Sequence, residues 1–163
     1  SSTVPVFDAS SMISAWDNYP LELFPGLWKW LGHRVATREI RLPRPALDEV
    51  GHKAEDCVEW LDTQKHSVIN MNNEIVGHAF RFKGLLKIEN DAFDPDGVDE
   101  NDLLIIASAL VHKQDLVSDE AEQFTRPKNL RKFKIPAVCK LGQINVTQYS
   151  FLSYIKRAGV PFR

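Results

Sequence analysis

Four stretches of the chain carry acids of a kind that could assemble a cation-dependent hydrolytic site: Asp8, Glu49, Asp102 and the adjacent pair Asp119 and Glu120. Oxygen donors of this sort suit Mg²⁺ or Mn²⁺ better than zinc. One or two such ions activate water and steady both the attacking and the leaving oxygen of a phosphodiester. Brought together without cations, the same acids would raise one another's pKa. Ser10 and Ser118 stand beside these acids and could hydrogen-bond them or position a water; a helix cap and a strand-end hydroxyl are equally good readings. Asp102 taken alone reads equally well as a helix-start acid stabilised by the dipole, with no chemistry. The five histidines show neither HExxH nor paired CxxC spacing, so no zinc site is expected.

Convergence of these acids depends on the elements that carry them. Residues 4–8 read as a short apolar strand ending in Asp8, with Ser10 or Ser11 capping a helix that runs to about Asn18. Pro25 suits a first helical turn, and Leu27, Trp28, Leu31 and Val35 follow at helical spacing. Residues 39–42 read as a second strand stopped by Pro43 and Pro45, and the next helix holds Leu47, Asp48, Glu49 and Val50. Cys57, Val58, Trp60 and Leu61 mark another helix. Residues 66–88 allow a helix, with Gly77 and Gly84 against it. Residues 94–97 form a turn. From Asp102 to about His112 the chain is apolar nearly all round, which predicts a buried central helix. Residues 115–118 read as a strand, 144–146 as a further one, and 149–157 as a closing helix. His112 is expected to place a favourable charge at its helix C-terminus.

Short strands alternating with helices predict a three-layer α/β/α fold with a small, mainly parallel sheet. Ligands of such sheets bind beyond the carboxyl ends of the strands. Asp8 ends the first strand there, and residues 118–120 leave a later one at the same edge. A crossover helix runs antiparallel to its strands, so the end bearing Asp102 faces the same way, and Glu49 lies early in its helix.

With 163 residues, 44% of them apolar and 26% charged, the chain is expected to form one domain over residues 1–163. Its longest apolar stretch, residues 103–111, is nine long and includes Ser108, too short to span a membrane. No export signal is apparent, so a cytoplasmic protein is expected, and the Ser1-Ser2 start suggests a short added remnant. Cys57 and Cys139 are expected to be buried free thiols. Residues 89–102 hold seven acids and no base, whereas residues 126–134 hold five bases (Arg126, Lys128, Arg131, Lys132, Lys134) and no acid. Such a division suits metal in one place and a polyanion in another, or simply two solvated stretches. The tryptophans Trp28, Trp30 and Trp60 are expected to pack; Trp16 and Tyr19 are candidates to line a substrate groove.

The acid-bearing segments resemble the motifs of PIN-domain nucleases. Val6-Phe7-Asp8-Ala9-Ser10-Ser11 resembles the first motif, Leu47-Asp48-Glu49-Val50 the second, and the run from Asp102 through Ala109 the third. Leu116-Val117-Ser118-Asp119-Glu120 resembles the fourth, although the expected Asp is here Glu120, with Asp119 one place earlier. The segments Phe24-Pro25-Gly26-Leu27-Trp28 and Lys134-Ile135-Pro136-Ala137-Val138-Cys139 are similar to an uncharacterised PIN-like branch among bacterial toxin–antitoxin modules.

The resemblance implies a PIN-like fold and a Mg²⁺- or Mn²⁺-dependent endoribonuclease, the toxin of a type II module neutralised by a cognate antitoxin. Its metal site would comprise Asp8, Glu49 and Asp102, with Glu120, Asp119 or Asp99 as the fourth acid. A homodimer is also implied. The basic residues Arg126, Lys128, Arg131, Lys132 and Lys134 would steer the RNA backbone. Two alternatives share the same acids: a catalytically degenerate binding module, and a nuclease acting on DNA.

Overall fold

The computed structural model describes residues 4–162; the Ser1-Ser2 start lies outside them. Val6 and Phe7, both fully buried, form β1 (Val6–Phe7), and Asp8 ends it. Helix α1 (Ala9–Asn18) follows at once. Asp8 is its N-cap by position, yet makes no side-chain capping bond. Neither Ser10 nor Ser11 is the cap: both lie inside the first turn, where their hydroxyls face acids. Helix α2 (Pro25–Ala36) opens on Pro25 and buries Leu27, Trp28, Leu31 and Val35, as the spacing predicts. The second strand, β2 (Leu42–Pro43), falls slightly later than expected and includes Pro43, which leads directly into α3 (Arg44–Lys53) and then α4 (Glu55–Thr63).

Residues 66–88 split into two elements. Val68 and Ile69 form β3 (Val68–Ile69), and α5 (Asn73–Leu85) starts where the Asn72 side chain accepts the Ile75 N–H at 2.9 Å. This cap, and the burial of Ile75, Ala79 and Phe82, outweigh the cost of Gly77 and Gly84. The acidic turn follows the predicted pattern, with Asp94 accepting the Asp96 N–H through its side chain. The remaining elements are α6 (Glu100–Val111), β4 (Leu116–Val117), a 3₁₀ turn (Leu130–Lys132), α7 (Ile135–Cys139), β5 (Gln148–Tyr149) and α8 (Phe151–Ala158). No strand forms at residues 144–146. Asn145 takes a left-handed φ of 52° there, ending a turn that hydrogen-bonds back to Leu141, and β5 begins only after it.

All strand pairings are parallel. β1, β4 and β5 form one sheet in the order β1-β4-β5, while β2 pairs with β3. A parallel bridge between Val6 and Arg41, with the Phe7 N–H donating to the Arg41 carbonyl at 3.0 Å, sets β2 beside β1. Across the molecule the order is therefore β3-β2-β1-β4-β5. The chain moves outward in one direction from β1 to β3, then crosses to the other side of β1 for β4. The switch point lies between β1 and β4, where open α/β sheets bind their ligands.

Helices flank this small sheet in a three-layer α/β/α arrangement: α1 packs on α3, α4 and α8, and α6 packs on α3, α5, α7 and β2. The buried side chains form one cluster running from Val6 to Tyr154. Cys57 and Cys139 are both buried and free, and burial pushes each thiol up to about 12. Trp16, Trp28 and Trp60 pack against one another at centroid distances of 4.9–6.4 Å, and Tyr19 packs on Phe24 and Phe151. Trp16 and Tyr19 therefore pack against neighbouring rings while keeping part of their surface open to solvent. Among the described residues no helix is long and apolar enough to cross a membrane.

Candidate functional site

At the switch point, the backbone places Asp8 first. Its N–H donates to the Val117 carbonyl at 2.9 Å, which locks the end of β1 to the end of β4. The Asp8 side chain is 1% exposed. Its Oδ2 accepts the Ser10 hydroxyl at 2.6 Å and the Ser118 hydroxyl at 3.1 Å. Each hydroxyl has one proton, so the 3.3 Å contact between the two serine oxygens is not a further strong bond. Their lone pairs are used as well: Ser10 accepts the Asp119 N–H at 2.9 Å and Ser118 the Glu120 N–H at 3.3 Å. Asp8 Oδ1, by contrast, is buried with no hydrogen-bond partner among the described residues. A bare, buried carboxylate oxygen is costly unless something else meets it.

The other acids approach from separate elements. Burial pushes the Asp8 carboxyl up to about 6; the two serine hydrogen bonds pull it down, while the charges of Glu120 and Glu49 push it further up. Asp102 goes higher, to about 8, through burial and the charge of Asp99, with Asp8 and Glu120 adding to the push. Asp8 thus feels the charge of Glu49 and Glu120, and Asp102 that of Asp8 and Glu120. Among the described residues, however, no three acids, histidines or cysteines stand together in an arrangement ready to hold a metal ion. Glu49 leans on Lys53 at 3.4 Å, a half-exposed contact of the weak surface kind.

The remaining candidate acids have structural work. Asp102 does not open its helix: Asp99 is the N-cap of α6 and Asp102 the third residue. The two form a capping box, Asp99 Oδ1 accepting the Asp102 N–H at 2.8 Å and Asp102 Oδ2 accepting the Asp99 N–H at 3.0 Å. Asp102 Oδ1 is not used by that box. Asp119 turns towards α8, its Oδ1 accepting the Ser11 hydroxyl at 3.0 Å and the Phe151 N–H at 2.7 Å. It stitches α1 to the start of α8, where the helix dipole favours a negative charge.

Beside Ser118, Asp119 and Glu120 opens a cavity of about 440 Å³ at the carboxyl ends of β4 and β5, bordered by Lys140, Ser150 and Ser153. Lys140 pairs with Glu122 across 2.8 Å at its rim. A larger cavity, about 560 Å³, lies between α3, α4 and β3 and is lined by none of Asp8, Glu49, Asp102 and Glu120. The smaller cavity adjoins the switch point through Ser118 and Glu120 but is lined by none of Asp8, Glu49 and Asp102.

The acidic and basic stretches are not separate regions. Lys132 pairs with Asp96 at 3.6 Å, the Val98 N–H donates to the Phe133 carbonyl at 2.9 Å, and Gly97 lies so close to the Arg131 carbonyl that a Cβ would overlap it. Arg131, Lys132 and Lys134 are partly buried in this seam, whereas Arg126 and Lys128 are exposed. His112 caps the end of α6, where burial and the Arg41 guanidinium hold its imidazole below the usual range and so work against the positive charge expected there. Two features had weak signals in the sequence: Ser11, hidden behind the ordinary reading of a helix cap, and Phe124, a lone aromatic between the acids and the bases.

Fold and site together define an open parallel α/β domain with Asp8 buried at its switch point, under the charge of acids from other segments. The chain belongs to the family described as a domain of unknown function, DUF4411, whose model matches residues 6–162. No curated protein matches it.

Proposed function

We propose that this chain is a Mg²⁺- or Mn²⁺-dependent endoribonuclease. The observation that carries this reading is Asp8 Oδ1: a buried, unpartnered carboxylate oxygen at the sheet's switch point, under the charge of Glu49 and Glu120. A hard divalent cation is the partner that relieves both the bare oxygen and the mutual repulsion. The donors are all carboxylates, which fits Mg²⁺ or Mn²⁺. Asp8, Glu49, Asp102 and Glu120 would hold the ion, the Glu side chains moving inward to do so. Bound there, the ion would supply Lewis acidity and an activated water. Ser10 and Ser118 fix the Asp8 carboxylate so that Oδ1 is the oxygen on offer. Asp119 and Asp99 each have one carboxylate oxygen engaged, by Ser11 and Phe151 and by Asp102, whereas the Glu120 charge acts on both Asp8 and Asp102, which favours Glu120 as the fourth acid. Arg126 and Lys128, both exposed, would draw in a phosphate backbone.

The toxin role, a cognate antitoxin, a homodimer and a cytoplasmic setting extend the resemblance to PIN-domain toxins and belong to the same proposal. A second reading, a binding module without turnover, is favoured by the capping box that engages one oxygen of Asp102. Digestion of total RNA with and without Mg²⁺, wild type against Asp8→Asn, tests the choice. The nuclease reading expects cleavage that needs the cation and falls at least about 100-fold in the variant. Cation-independent cleavage, or an active Asp8→Asn, refutes it. Parallel digests of transfer RNA, ribosomal RNA and single-stranded DNA separate an RNA enzyme from a DNA one.

A further inference from the structure

Phe124 is 96% exposed, the most exposed of the large apolar side chains. It sits on the loop that leaves β4, four residues beyond Glu120, so at most about 14 Å of extended chain separates them. Its neighbour Gln123 is clamped: the amide nitrogen donates to the Lys132 carbonyl at 3.0 Å, and the amide oxygen accepts the Lys134 N–H at 3.0 Å. On the preceding side Glu122 is tied to Lys140. Two consecutive residues just before Phe124 are therefore tied down, while the phenyl ring itself stands almost wholly in solvent. Two residues on, Arg126 has its guanidinium over the Phe133 ring, 5.6 Å from the centroid, and Lys128 is exposed. Pro127 between them restricts the backbone.

An aromatic face beside exposed cations on a tethered loop is the arrangement that receives unpaired bases: the ring stacks, and the cations meet the phosphates. We infer that Phe124 is a base-stacking residue that binds a nucleotide of single-stranded RNA beside the scissile position, with Arg126 and Lys128 on the flanking phosphates. The inference rests on the nucleic-acid half of the proposed function. Glu122 is neutralised by Lys140 and Glu120 belongs to the proposed metal site, so the exposed cations Arg126 and Lys128 that follow the ring favour a polyanion over an apolar protein face. A duplex keeps its bases stacked inward, out of the ring's reach.

The test measures binding of a labelled single-stranded oligoribonucleotide in EDTA, where cleavage plays no part, to the wild type, Phe124→Ala and Phe124→Trp. Phe124→Ala should weaken binding about 5- to 150-fold, Phe124→Trp should restore it, and binding of duplex RNA should change little. With Mg²⁺ present, Phe124→Ala should raise KM far more than it lowers kcat. The position is solvent-exposed, so both variants should keep the wild-type melting temperature. Equal binding by wild type and Phe124→Ala overturns the inference, as does equal loss on duplex and single strand, or a wild type that binds no single-stranded RNA. A change confined to the oligomeric state would assign Phe124 to a protein contact and overturn it too. Phe124-dependent binding without any cleavage would sink the nuclease reading and leave the stacking role standing.

Discussion

Ser118, at the end of β4, donates its hydroxyl to the carboxylate of Asp8, at the end of β1, across 3.1 Å and 110 positions of chain. Ser10 donates to the same oxygen at 2.6 Å. Both available protons thus go to Oδ2, and Oδ1 is left bare in the interior. The asymmetry gives the carboxylate one oxygen that is held and one that is free to bind.

Removing one of the two holders should loosen the other oxygen. Ser10→Ala also deprives the Asp119 N–H of its acceptor. Groups that orient a metal-binding carboxylate typically contribute about 10- to 100-fold in affinity, so Mn²⁺ binding by calorimetry should weaken by that order in Ser10→Ala and in Ser118→Ala. Unchanged affinity in both would mean the serines are only packing.

Acidity gives a second test. Asp8 is held at about 6 and Asp102 at about 8, both above the ordinary value of 3.8. Between the unfolded and the folded pKa, the folded state binds more protons than the unfolded one, so stability falls as pH rises through that interval. The metal-free protein should be most favoured by these groups near pH 4. That contribution fades through about pH 6 for Asp8 and about pH 8 for Asp102. For Asp8 alone the loss is about 3 kcal/mol. Denaturant midpoints across pH 4–9 in EDTA should show this decline, and Mn²⁺ should restore more stability at pH 8 than at pH 5. A rise in stability over the same span would contradict the site's electrostatics.

The neighbouring acids Asp119 and Glu120 should separate cleanly. Asp119→Ala abandons the Ser11 hydroxyl and the Phe151 N–H and should destabilise the fold by about 1–3 kcal/mol. Glu120→Gln removes a charge that crowds Asp8 and Asp102, so it should leave stability equal or higher while cleavage is lost. Melting curves and RNA digests on both variants decide it; a reversed pattern would move the fourth ligand to Asp119.

Two glycines give opposite expectations. A Cβ at Gly77, on the exposed side of α5, would meet nothing within 4 Å. Gly77→Ala should therefore stabilise the protein by about 1 kcal/mol in urea unfolding. Gly97→Ala would drive its methyl into the Arg131 backbone, forcing apart the acidic and basic segments at about 1–3 kcal/mol. It should also disturb Asp99, two residues on, and so lower the melting temperature.

The sequence by itself determined much of this protein. Apolar periodicity located α2 and α6, and Asp8 and residues 118–120 could be set at strand ends because Val6-Phe7 and Leu116-Val117 are short apolar runs punctuated by acids and serines. Such local patterns fix which residues must be buried and on which side an element turns. They left β3 unread, because Val68-Ile69 is as compatible with a helix as with a two-residue strand until Leu42 and Pro43 lie beside it. They put a strand at residues 144–146, because the left-handed turn at Asn145 is imposed by contacts with Cys139 and Leu141. Only the tertiary structure decided which oxygen of Asp8 is free, that Asp99 and Asp102 cap one another, and that Asp119 serves α8 while Glu120 faces the other acids. A side chain's role depends on which donors lie within about 3 Å of it, and for Asp8 and Asp119 one of those donors, Ser118 and Ser11 respectively, comes from more than a hundred residues away.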